Sequence, residues 1–141
     1  MKNIFFLLIA LVLWSCSPGP KPIEYGTDEC HFCRMTIVDP QHGAELLTDK
    51  GKVYKFDAIE CMVHYVQQNE QMAFGSFWVN DYTQTSGELV DATACTYLIS
   101  PNIPSPMGAF LSAFKDEAKA KEFQQEKTGE VYGWEELLKE L

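Results

Sequence analysis

Positive charge is scarce in this 141-residue chain: 11 Lys and Arg stand against 20 Asp and Glu, for a formal net charge of −9. A surface without clustered cations cannot neutralise phosphates, which excludes nucleic acid as a natural partner and leaves an acidic surface that tolerates a cationic ligand. No glycine-rich phosphate loop is present, no acid pair stands out, and no nucleophile has its base at a recognisable spacing. An enzyme therefore has no motif to rest on. The apolar run from Ile4 to Trp14 is also too short to span a bilayer, at about eleven residues where about 20 are needed. What the chain does have is 46% hydrophobic, 13% aromatic and 22% charged residues, a composition that packs a core and argues against disorder.

The short apolar run follows Met1-Lys2-Asn3 and precedes Ser15-Cys16-Ser17-Pro18-Gly19-Pro20. Positive charge, apolar stretch and small residue in that order make a secretory signal over residues 1–15. Leu13-Trp14-Ser15-Cys16 resembles a lipoprotein box, in which the cysteine is lipidated and begins the mature chain, although Trp14 stands where a small residue is usual. An ordinary signal peptide with an incidental cysteine is the alternative. The proline-rich residues 16–24 read as an extended tether that holds the domain off the membrane, and two or three acyl chains anchor stably where one does not.

With Cys16 lipidated, Cys30, Cys33, Cys61 and Cys95 remain, and an even number outside the cytoplasm invites disulfides. Spacing singles out Cys30-His31-Phe32-Cys33-Arg34-Met35. Two thiols separated by two residues can converge on one ion, and a thioether beside them selects soft Cu(I) over Zn(II). The same spacing serves redox centres, but a thioredoxin-like motif should open a helix, whereas a β-like run follows here. A Cys30–Cys33 disulfide clip is the plain structural alternative, and Met35 also reads as a core gap-filler. Cys61 and His64, one helical turn apart, can face a ligand together or serve as a buried cysteine and a surface histidine. Cys95 reads as a small buried hydrophobe. Met107, between Pro106 and Gly108, projects from a rigid turn or packs beneath it.

Periodicity predicts two β-β-α-β units, at 25–85 and 86–141, packed as one α+β body. In the first, a short strand at Arg34–Val38 precedes a hairpin of Ala44–Thr48 and Lys52–Phe56 about Gly51. Asp57 then caps a helix over 58–68, and a strand covers Ala73–Asn80. In the second, strands are expected at Asp91–Ser100 and Met107–Phe114. A helix over Asp116–Lys127, a strand at Glu130–Tyr132 and a terminal helix over Trp134–Leu141 follow.

Several segments together resemble the NosL family, the accessory lipoproteins of nitrous oxide reductase. They are the lipobox at Cys16, Cys30 to Met35, Val38-Asp39-Pro40, Phe56 to Met62, Trp78 to Tyr82, Asp91-Ala92, Pro106-Met107-Gly108 and Ala113-Phe114, in order along nearly the whole chain. The resemblance implies two small β-β-α-β units similar to part of organomercurial lyase. It also implies a lipid-anchored Cu(I) metallochaperone on the periplasmic side of a bacterial membrane, not an enzyme, that passes copper towards nitrous oxide reductase with a membrane transporter assembly. Carried over by residue, the ligands are Cys30, Cys33 and Met35, then Met107, then Cys61 and His64. Arg34 stands where the family often has Gly, and Ala58 where a second Asp is usual. The competing readings are a thiol redox protein that keeps a partner's copper-binding cysteines reduced, a lyase-like enzyme, and a structural lipoprotein with a disulfide clip.

Overall fold

Residues 19–141 are described by a computed structural model of the chain. Alternation dictates its first hairpin: in β2 (Val53–Phe56) Tyr54 and Phe56 are buried while Val53 and Lys55 are half-exposed, so one face of the strand turns inward. Its partner β1 (Ala44–Thr48) is buried on both faces through Leu47 because it lies between β2 and β3 (Phe74–Asn80), antiparallel to each. Gly51 at φ +78° makes the turn between them, with its N–H donating to Thr48 C=O at 2.8 Å. Strand β4 (Leu89–Asp91) completes a four-stranded sheet in the order β2-β1-β3-β4. Helix α1 (Ile59–Gln68) presents Ile59, Met62 and Val63 to the core.

The second sheet has the order β6-β5-β7, antiparallel throughout, from β5 (Thr96–Ile99), β6 (Leu111–Phe114) and β7 (Glu130–Tyr132). Helix α2 (Glu117–Lys127) opens on Asp116, whose carboxylate accepts the Ala118 N–H at 2.8 Å, and it buries Ala120 against Leu98, Ile103 and Phe114. Its exit needs Gly129, at φ +111°, where an added Cβ would stand 2.2 Å from Ile99 C=O. Helix α3 (Trp134–Glu140) then plugs Trp134 against Phe77 of the first sheet and Tyr97 of the second, at ring separations of 5.1 and 5.9 Å. One apolar cluster therefore runs through both halves, joining Leu46, Phe56, Met62 and Val79 to Tyr97, Leu111, Trp134 and Leu137. Each such side chain contributes about 1.5–3 kcal/mol on burial, so the shared cluster holds the two sheets together.

Polar contacts reinforce the seam. His42 lies between Asp39 (Nδ1 to Oδ2, 2.8 Å) and Ser112 of β6 (Nε2 to Oγ, 3.3 Å). The order Asp-His-Ser is that of a hydrolase triad, but Ser112 is wholly buried and His42 nearly so. The array clasps two elements and offers a substrate no approach. At the other side, buried Glu45 accepts the Lys21 N–H at 2.7 Å and Lys55 donates to Pro22 C=O at 2.7 Å, which fastens the incoming chain to the first sheet.

The main departures from expectation have local causes. The strand expected over 91–100 is broken at Ala92–Ala94 by a single 3-10 turn, because Asp91 turns its carboxylate back onto the Thr93 N–H at 2.9 Å. Residues 107–110 are not extended, since Gly108 and Phe110 both take positive φ. At 34–38 only one bridge forms, Glu29 to Thr36, because Arg34 at φ +65° interrupts any strand. Helix α1 starts from Ala58 without a side-chain cap, and Asp57 lies one residue too early to fill that role.

Candidate metal centre

Residues 30–35 form a closed turn. The Cys30 N–H donates to Met35 C=O at 2.8 Å and the Arg34 N–H to Cys30 C=O at 3.0 Å, so both cysteines lie on the inside of the loop. The His31 N–H donates to Lys55 C=O at 2.8 Å, which fastens this turn to the end of β2. That strand runs directly through Asp57 and Ala58 into α1, so the first turn of the helix, with Cys61, is delivered to the same place. The sulfurs of Cys30, Cys33 and Cys61 lie within 4.8 Å of one another, and all are free thiols. Cys30 and Cys61 are buried at 0% and 1% exposure, while Cys33 is partly open. The cluster thus has one accessible side.

Three thiols this close share protons unequally. The Cys61 S–H donates towards the Cys30 sulfur, and the backbone N–H groups of Asp57, Cys33 and Phe32 add to it against the opposing effect of burial, which brings Cys30 down to about 5. Cys61 is pushed far up because it donates that hydrogen bond, with burial and the Cys30 charge reinforcing the effect. Burial, and then the neighbouring Cys30, raises Cys33 as well. Burial followed by the Cys30 charge raises Asp57.

The other candidates from the sequence take different places. Met35 is 55% exposed beside Cys33 and Met107 is 42% exposed on the 104–110 loop, so both thioethers lie at the surface. His64 stands outside the cluster of mutually close ligand atoms, with its ring 5.9 Å from Phe32 and Nδ1 3.4 Å from Gln67 Oε1. His31, between the two cysteines, turns its ring away onto Tyr54 and Tyr65 at 4.4 and 5.3 Å. Cys95 is buried apart from the cluster, donates to Asp91 C=O at 3.3 Å, and is raised to about 12, chiefly by burial. Cys16 and the signal segment lie outside the described residues.

Two contributors escaped sequence reasoning. Glu60, 1% exposed and immediately before Cys61, accepts the Ser105 O–H at 2.5 Å and the Ala109 N–H at 3.4 Å. It ties the Met107 loop to the helix turn that carries the third thiol. No short-range spacing signals this, because Glu60 reads as a solvated helix residue and Ser105 as a turn residue until packing joins them.

A family model for NosL matches residues 22–141. The copper-binding lipoprotein NosL of Stutzerimonas stutzeri is 28% identical over 149 residues, an alignment that covers 96% of this chain and 78% of that protein. The crystal structure of the copper chaperone NosL from Shewanella denitrificans superposes with a TM-score of 0.74 at 20% identity, covering 84% of this chain and 94% of that one. The two sheets with their helices are therefore the fold of that protein, and the match over residues 22–141 shows that the chain belongs to the NosL family.

Proposed function

We propose that this chain is a lipid-anchored, extracytoplasmic Cu(I) metallochaperone that delivers copper for assembly of the metal centres of nitrous oxide reductase. The observation that carries the reading is the convergence of three free thiols within 4.8 Å, two of them buried and the third, Cys33, partly open. Soft sulfur donors suit Cu(I), and a site with three sulfurs falls short of the four-coordinate shell that structural Zn(II) takes. In this reading the exposed thioethers of Met35 and Met107 add neutral soft donors. Copper(I) enters from the Cys33 side, each thiol that ligates as a thiolate gives up its proton, and a partner's thiolate or imidazole enters from that same side before the buried sulfurs let go. Anchoring at Cys16 is supported by the signal and tether in the sequence and by the lipoprotein named among the relatives; the periplasmic side and transfer towards the reductase and its membrane transporter assembly are part of the proposal, drawn from the family resemblance.

A thiol redox protein is the second reading, and the burial pattern weighs against it. Exchange with a partner's disulfide needs an accessible thiolate. Here Cys30, the sulfur whose pKa is lowered, is fully buried, and burial raises the pKa of Cys33, the one a partner could reach.

The test is anaerobic competition for Cu(I) between a chelator and the reduced full-length protein in detergent, for wild type and for Cys30→Ser, Cys33→Ser, Cys61→Ser and Met35→Leu. Tight binding that weakens in the cysteine variants supports the chaperone. Binding no tighter than the chelator's, or unchanged in all four variants, refutes it. Transfer of the bound copper to apo nitrous oxide reductase in the presence of the competing chelator tests the acceptor.

A further inference from the structure

We infer that Glu60 is a positioning residue for the copper site, holding the Met107 loop against the helix turn of Cys61 so that the Met107 thioether stands ready as an additional sulfur ligand. The inference rests on the proposed Cu(I) function and deepens it.

The hydrogen bonds around Glu60 form a hub. One carboxylate oxygen, Oε1, takes the Ser105 hydroxyl at 2.5 Å and the Ala109 N–H at 3.4 Å. Ser105 Oγ accepts in turn from the Phe110 N–H at 2.9 Å, and Ser105 C=O accepts the Gly108 N–H at 3.0 Å. Both limbs of the loop are thereby fixed to one side chain, and Met107 is left at the tip between them. The loop is built for a single shape: Pro104 and Pro106 stiffen its entry, Gly108 turns at φ +79°, and Phe110 is held at φ +59° without being glycine. Such strain persists only where surrounding contacts over-determine the backbone, and the contacts here lead to Glu60.

The position of Glu60 links the loop to the helix turn that carries Cys61. It is the residue before Cys61, on a helix turn whose backbone is rigid, so any displacement of the Glu60 carboxylate alters where the loop sits relative to the thiol cluster. A loop tip that served only to close the chain between β5 and β6 would not need a buried carboxylate. Glu60 is 1% exposed and its Oε2 has no partner among the described residues, a costly arrangement that a smaller neutral side chain would avoid. Outer-shell partners of this kind orient metal ligands, and their loss commonly lowers metal affinity by about tenfold or more. Met107 is also one of four large apolar side chains exposed among the described residues, with Met35, Val38 and Phe110, so its thioether is accessible to an incoming ion.

The experiment labels the methionine methyl groups with ¹³C in the full chain in detergent and adds one equivalent of Cu(I) anaerobically. The Met107 resonance is assigned from Met107→Leu. In wild type the Met107 methyl should shift on loading. Glu60→Ala and Ser105→Ala should lose that shift and bind Cu(I) about tenfold more weakly, while Glu60→Gln, which keeps an acceptor for Ser105, should restore both. In the Met107→Leu background Glu60→Ala should add little, because the two changes remove the same ligand. Ser105→Ala deletes a single hydroxyl, so it carries the test if Glu60→Ala does not fold. A Met107 methyl that Cu(I) leaves unmoved, while the thiols bind it tightly, overturns this inference and leaves the chaperone reading standing. An equal loss from Glu60→Ala with and without Met107 overturns it too. Failure of wild type to hold Cu(I) at all is the separate result that removes the chaperone reading itself.

Discussion

Replacing Cys61 with alanine should remove much of the unusual acidity of a different residue, Cys30. The foremost cause of the Cys30 value of about 5 is the hydrogen bond from Cys61. A hydrogen bond to a charged group stabilises it by about 1.5–3 kcal/mol. At about 1.4 kcal/mol per pH unit, its removal moves the Cys30 midpoint up by roughly one to two units, to somewhere about 6–7. Cys61→Ser serves as the comparison, because a hydroxyl is still a donor. It should keep most of the acidity while losing one soft ligand. The assay is the thiolate absorbance near 240 nm of the reduced, metal-free protein titrated anaerobically between about pH 4 and 8. Wild type should show one thiolate per chain with a midpoint of about 5, Cys61→Ser a small upward displacement, and Cys61→Ala the large one. Stability should follow with a definite sign. Because the folded-state value lies below the ordinary thiol value of 9.0, the folded protein binds fewer protons in the window from about 5 to 9, and wild type should gain stability as pH rises through it. The stabilisation is complete above that window and is lost as pH falls to about 5. Cys33 and Cys61, raised above the ordinary value, act only on the alkaline side, where their stabilisation is lost as pH rises. Superimposable titrations of wild type and Cys61→Ala, or no wild-type thiolate below pH 7, would refute the shared-proton account of the cluster.

Three further outcomes follow from single residues. Arg34→Gly removes a side chain from a φ of +65°, a left-handed conformation that costs an L-residue about 1–2 kcal/mol; after glycine's extra unfolded-state entropy is subtracted, thermal melts should show a gain of about 0.5–1 kcal/mol. Gly129→Ala should be severe, about 3 kcal/mol or more by urea denaturation, since its Cβ would meet Ile99 C=O at 2.2 Å in a backbone region nearly reserved for glycine. Glu45→Gln keeps an acceptor for the Lys21 N–H but cannot ionise. Burial raises the Glu45 carboxyl above its ordinary value of 4.5, so wild-type stabilisation from it is lost as pH rises, and the variant should melt higher than wild type at pH 7 with the difference vanishing below about pH 4. Equal melting points across that range would show that Glu45 is not the burdened group the geometry describes.

Local chemistry was legible in the chain by itself. The Cys30 to Met35 turn, the hairpin about Gly51, the α1 periodicity and the Asp116-capped helix are all set by contacts a few residues long, where spacing and turn chemistry act directly. Boundaries failed where a side chain redirected its own backbone, as Asp91 does onto Thr93, or where a non-glycine residue was forced to positive φ, as at Arg34 and Phe110. Composition and spacing cannot announce such positions, because the strain is imposed from outside the segment. The site shows the same division. Cys30 and Cys33 were adjacent candidates from the start, but Cys61 read equally well as a core residue, and only the passage of the chain through β2 into α1 brings its sulfur within 4.8 Å of theirs. His64 shares that helix and stands apart from the cluster. Glu60 and Ser105, 45 residues apart, meet only because the two sheets bury one common core. The sequence by itself determined which sulfurs were available and which short turn presents two of them. The tertiary structure decided which third thiol joins them and which loop Glu60 ties to the helix turn of Cys61, because those contacts join segments distant in the chain, where packing sets the distances.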